Sequence, residues 1–205
     1  MENLATLAMA GALAWASGIR LYTLLLILGI AGQQDWIVLP AHLRILQHPF
    51  VMTTSGILVV IEFFADKIPG IDSVWDALHT FVRIPAGALL AAGVIGAEDG
   101  PAWALVAGLI GGTLTAGTHF TKAGSRALIN TSPEPFSNWA ASFSEDGLVL
   151  GGLWLALFHP AVFLLLLVLF ILLMLWLLPK FWRGIKAMIG KLMGLLGGAT
   201  QPNTS

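Results

Sequence analysis

The sequence predicts an all-α, polytopic membrane protein, and three observations predict it. Hydrophobic residues make up 57% of the chain and charged residues only 10%, whereas a soluble domain carries about a quarter charged residues. Apolar runs long enough to cross a ~30 Å hydrocarbon core recur along the chain. The few charges fall at helical spacing, in stripes, rather than being spread over a surface. We count about six transmembrane helices, arranged as a 3+3 inverted repeat. The expected division is 1–179 as a transmembrane helical domain, 180–197 as an amphipathic surface helix and 198–205 as a disordered tail.

The first span is 5–31, interrupted by Arg20 and Tyr22. An arginine that deep calls for a partner within the bundle, and Glu62 or Asp66 would serve. The run 33–49 is less apolar and holds Pro40, His42, Arg44 and His48, which suits a short interfacial or re-entrant helix. The second span is 51–65. The third, 74–97, contains Pro85, which should kink it or end its first turns. An acidic turn follows at Glu98 and Asp99. The fourth span, 102–120, carries Gly108 and Gly112 at the spacing that lets helices approach closely. The fifth, 142–158, opens with Ser144 as an N-cap ahead of Glu145 and Asp146. The sixth, 161–178, has no polar face and should border lipid. Lys180, Arg183, Lys186 and Lys191 then line one side of a helix that would lie on an anionic membrane surface.

The chain is organised around the stretch from Glu62 to Arg83. Glu62 and Asp66 are four apart and share one helix face. Pro69 and Gly70 break the chain. Asp72, Asp76, His79 and Arg83 then follow along one face of a new helix. Such a polar stripe in a membrane helix costs about 2.5 to 3.5 kcal/mol per central charge, so it should face protein, water or a ligand. These six residues form the candidate ligand or ion site. Arg20, His119, Lys122 and Arg126 form a secondary basic site. Asn130, Glu134, Asn138, Glu145 and Asp146 form a secondary polar site. Asp66, Asp72, Asp76 and His79 offer metal-ligand chemistry, but no helix carries a histidine pair at ligand spacing, so the metal is left unknown.

Other features bound the function. A net charge of −1 argues against nucleic acid as a partner. There are no cysteines, which excludes disulfides and thiolate chemistry. The N-terminus lacks the basic region of a cleaved signal peptide, so its apolar segment should stay as a membrane helix. With six spans, the lysine and arginine bias puts both termini in the cytoplasm. The repeat rests on two matches: residues 16–20 resemble 115–119, and 48–50 resemble 134–136.

Two runs, EFFADKIPGIDSVWDALHTFVRIPAGALLAA and THFTKAGSRALINTSPEPFSNWAASFSEDG, resemble a bacterial integral membrane family, domain-of-unknown-function family 4126. The resemblance spans about 16–159. It implies a six-helix membrane protein and no particular activity. The residues themselves favour a transporter or channel for a small ion or polar solute. The alternatives are a structural or assembly partner whose charges only hold helices together, or a membrane enzyme acting on a lipid. No cofactor is expected. The lipid bilayer is the expected environment, and a homo-oligomer the expected assembly.

Overall fold

The computed structural model describes residues 2–131 and 136–197. Within them lie six α-helices and one 3-10 helix: α1 Glu2–Gln33, the 3-10 helix Ala41–Gln47, α2 Pro49–Ala65, α3 Ile71–Asp99, α4 Pro101–Ile129, α5 Phe136–Phe158 and α6 Pro160–Gly197. No strand occurs among the described residues. Glu134 and the expected tail 198–205 lie outside them.

Helix α1 fills the centre. Ala8, Ala12, Leu13, Ala16, Leu21 and Leu24 are fully buried, as suits a helix that is apolar all round. It is not straight. At Arg20 the backbone leaves helical geometry (φ −142°, ψ 71°), and the neighbours on either side show how far the chain turns. In the first arm, 2–19, Ala14 accepts a hydrogen bond from Thr115 of α4. Gly18 then lies against Thr115, Thr118 and His119, so this arm runs with α4. In the second arm, 21–33, Tyr22 meets Trp75 and His79 of α3, and Leu25 lies with Ala86 and Leu90. Leu28 shares a cavity with Val94, so this arm runs with α3. Helices α3 and α4 join through a turn at Gly100 and pack antiparallel, Gly96 against Ala104 and Gly112 against Ala88. The two arms are therefore antiparallel as well. Thr6 and Met9 accordingly line the same cavity, of about 360 Å³, as Leu28. A straight helix would hold Thr6 and Leu28 about 33 Å apart.

The start of α1, its end at Gln33 and the α3–α4 turn thus lie at one end of the bundle. The α2–α3 turn, the end of α4 and the start of α5 lie at the other. Helix α6 descends along α4, with Met174 against Gly117, Phe181 against Gly124 and Leu128 against Gly184. Its C-terminal end leaves the bundle opposite the start of α1.

Many large apolar side chains face outward, including Leu165, Leu169, Leu172 and Trp176 on α6. Four segments are long and apolar enough to cross a membrane: Asn3–Gln33, Ile71–Gly96, Phe136–Phe158 and Pro160–Gly184. The 3-10 helix and α2, bent by 65° to one another, pass the same test as a pair. This is a multi-pass membrane protein.

Some local expectations change. Helix α3 runs on through Pro85 instead of ending there. Ser144 is not a cap: α5 starts at Phe136, and the Ser144 hydroxyl donates to the Ala140 carbonyl. The tail is not a separate helix, because α6 continues through Pro179 to Gly197. Gly70, at φ +87°, makes the α2–α3 turn in a conformation that other residues rarely adopt.

Candidate functional site: a buried charge cluster at the turn of α1

Five helices bring ionisable side chains to the point where α1 turns. Arg20 stands at the turn. Glu62 and Asp66 come from the end of α2, Asp76 and Arg83 from α3, His119, Lys122 and Arg126 from α4, and Glu145 and Asp146 from α5. Glu62, Asp66, Asp76, Arg83 and Arg126 are fully buried, and Asp146 is the most exposed at 29%.

Arg20 pairs with Asp66 at 2.5 Å and with Asp146 at 3.0 Å, and lies 3.6 Å from Glu145. It also donates to the Ser142 hydroxyl and carbonyl. Arg83 holds two carboxylates at once, Glu62 through Nη2 and Asp76 through Nη1, the second at 3.0 Å. Lys122 sits at the hub, 3.4 Å from Asp76 and Glu145, 3.5 Å from Asp66 and 3.9 Å from Glu62. Arg126 binds Glu145 at 2.9 Å and lies 3.7 Å from Asp66.

The turn in α1 is part of the same electrostatic arrangement. Ending a helix orphans its last carbonyls and leaves partial negative charge there. Cations meet them: Lys122 donates to the Ile19 carbonyl at 3.1 Å and Arg83 at 3.4 Å. Close contact with α4 is possible because position 18 is glycine. A Cβ there would stand 2.6 Å from the Thr115 carbonyl oxygen and 2.7 Å from the Thr118 Cβ.

His119, from α4, joins through two residues of α3. The Thr80 hydroxyl donates to the Asp76 carbonyl. It therefore accepts from His119 Nε2, 2.8 Å away. His119 Nδ1 faces Arg83 Nη1 at 3.5 Å.

The expected site is thus divided. Glu62, Asp66, Asp76 and Arg83 enter the cluster, together with all four residues of the basic set. Asp72 and His79 do not. Asp72 sits in the first turn of α3, accepting from the Gly70 and Ser73 amides and from Asn130. His79 stacks on Trp75, ring centroids 3.9 Å apart, and donates through Nδ1 to the Trp75 carbonyl. Spacing put these two on the stripe, but a helical stripe winds, and its first turn belongs to the loop. Asn130 and Asn138 link Asp72 to the cluster: Asn138 donates to Asn130 and accepts from Arg126. Glu145 and Asp146, grouped with them, sit inside the cluster instead. Sequence spacing missed Ser142, Thr80 and the Ile19 carbonyl, since they meet their partners only across helices.

Asp66, Asp72, Asp76 and His79 do not converge. Among the described residues no group of three or more carboxylates or histidines is placed to hold a metal. A cavity of about 740 Å³ is apolar and lies between the 3-10 helix and α3, away from the cluster.

The fold and this cluster define a class: a multi-pass helical membrane protein with an ion-pair network built around a broken helix. Within that class the chain belongs to the family described as a domain of unknown function (DUF4126), which matches residues 7–180. No curated protein and no solved structure matches it.

Proposed function

We propose that this protein is a transporter or channel for a small ion or polar solute, with the charge cluster at the turn of α1 as its site. One observation carries the proposal: a helix breaks at a buried arginine, and carboxylates and cations from four other helices converge on the break. Discontinuous helices whose ends face charged groups are the usual construction of solute sites near the membrane midplane. Burying this many charges costs several kcal/mol per ion before pairing repays it, so a role that uses the charges is favoured over one that only glues helices.

In this reading the protein sits in a bacterial inner membrane, with the α2–α3 and α4–α5 connections and the basic end of α6 on the cytoplasmic side. Because α1 doubles back, this reading puts the N-terminus on the opposite side, in place of the expectation that both termini are cytoplasmic. The inverted repeat loses support: of the two aligned segments, 16–20 ends in a break, whereas α4 runs straight through 115–119. The end of α6 remains the candidate surface helix, and self-association remains the candidate assembly.

A structural role is the second reading, and a specific observation favours it: every cation of the cluster already has a carboxylate partner. Flux into proteoliposomes separates the two. Uptake or leak of an ion or small polar solute above empty liposomes supports transport. A well-folded protein that passes none of the common cations, protons or small polar solutes supports the structural role.

A further inference from the structure

Glu62 and Asp76 share an unusual arrangement. Each has one oxygen on Arg83, and the same oxygen is the one nearest Lys122. The other oxygens, Glu62 Oε2 and Asp76 Oδ2, are buried and have no hydrogen-bond partner. Two buried carboxylates therefore lean on one guanidinium and on a lysine that also serves Asp66 and Glu145. Asp66 also keeps one bare buried oxygen, Oδ1, but three cations, Arg20, Lys122 and Arg126, meet its Oδ2. Over the whole cluster, four permanent cations face five carboxylates. Within it, Glu62 and Asp76 are the two carboxylates that share the Arg83 guanidinium.

We propose that the ion taken by this site is a proton, held by the Glu62–Asp76 pair; this rests on the transport reading above. The pair is faced by Arg20 and Tyr22 from α1, Asp66 from α2, Arg83 and Thr80 from α3, His119 and Lys122 from α4, and Glu145 by way of Lys122 from α5. A metal cation would have to enter among three permanent positive charges, Arg20, Arg83 and Lys122. A proton needs no coordination shell and turns a donor-less oxygen into a hydroxyl. One O–H bond forms on Glu62 Oε2 or Asp76 Oδ2, and one breaks on the water or buffer acid that supplies the proton. The pair goes from two negative charges to one, which leaves four cations facing four carboxylates over the cluster. Like-charged carboxylates sharing one site raise the proton affinity of one of them, and the titration belongs to the pair rather than to either residue. Asp146, the most exposed member, is the entry from water.

The test is infrared spectroscopy of the full chain in detergent, with proteoliposome flux beside it. A carboxylic-acid carbonyl band should persist near neutral pH, where exposed carboxyls are ionised. It should shift in heavy water and vanish at alkaline pH. Isotope labelling of aspartate or glutamate assigns it without any substitution. Glu62→Gln or Asp76→Asn should remove or shift it, and Asp35→Asn, in the exposed segment after α1 and outside the cluster, should leave it in place. Absence of the band in wild type, or a band indifferent to both Glu62→Gln and Asp76→Asn, overturns the proposal. If the band is absent while proteoliposomes still move a solute, the proton assignment fails and the transport reading stands. If the band titrates while no ion or solute moves, proton binding stands and the transport reading fails.

Discussion

Arg20 meets Asp66 at 2.5 Å from the one position where α1 leaves helical geometry. The break and the charge pair explain one another. The turn aims the guanidinium at the end of α2, and the carboxylate stabilises a cation that would otherwise sit uncompensated in the centre of the bundle.

Asp66→Asn should therefore be costly. It leaves Arg20 short of its nearest partner, and breaking a buried pair costs about 3–5 kcal/mol. Asp76→Asn should cost clearly less, because it imitates the protonated state proposed for the Glu62–Asp76 pair. Thermal unfolding in detergent compares the two. Equal destabilisation would mean that Asp76 is as fully matched as Asp66.

Gly18→Ala tests the seam between α1 and α4. The added Cβ meets backbone oxygen at 2.6 Å, and backbone cannot rotate away as a side chain can. We expect a loss of about 1–3 kcal/mol, the range for overpacking. A neutral result would show that the two helices do not approach as described.

Accessibility can check the turn itself. The native chain has no cysteine, so single-cysteine variants report cleanly. Asn3→Cys and Ala102→Cys should react from the same side of the membrane, and Ile68→Cys from the other. Asn3→Cys reacting with Ile68→Cys would restore six straight spans and remove the hairpin.

Two histidines separate the site from its surroundings. His119→Phe removes a contact with both Thr80 and Arg83 and should impair flux and lower stability. His79→Phe keeps the aromatic stack on Trp75 and should leave flux near wild type. The reverse pattern would move the site to the start of α3.

The end of α6 divides in two. Phe181 packs on Gly124, so Phe181→Ala should cost about 2 kcal/mol, below the ~3–5 kcal/mol of a fully buried phenylalanine. Neutralising Lys180, Arg183, Lys186 and Lys191 should weaken attachment to anionic vesicles by ~1 kcal/mol per cation without unfolding the bundle. Vesicle flotation and thermal unfolding read these separately.

Composition and period alone determined that the chain is a helical membrane protein, because apolar runs and 3.6-residue stripes are local properties of the sequence. They also placed Glu62, Asp66, Asp76, Arg83, Lys122 and Arg126 on inward faces, since a charge in a membrane helix has few other places to go. The partners were decided by tertiary structure. The spacing Asp72, Asp76, His79, Arg83 reads as one site, yet the neighbours of each turn differ: a loop and Asn130 for Asp72, aromatic rings for His79, and the cluster for the other two. The turn at Arg20 has no local signal either, because the sequence around it, ASGIRLYT, contains no proline. A helix can break there because Lys122 and Arg83, far along the chain, donate to the Ile19 carbonyl that the break exposes.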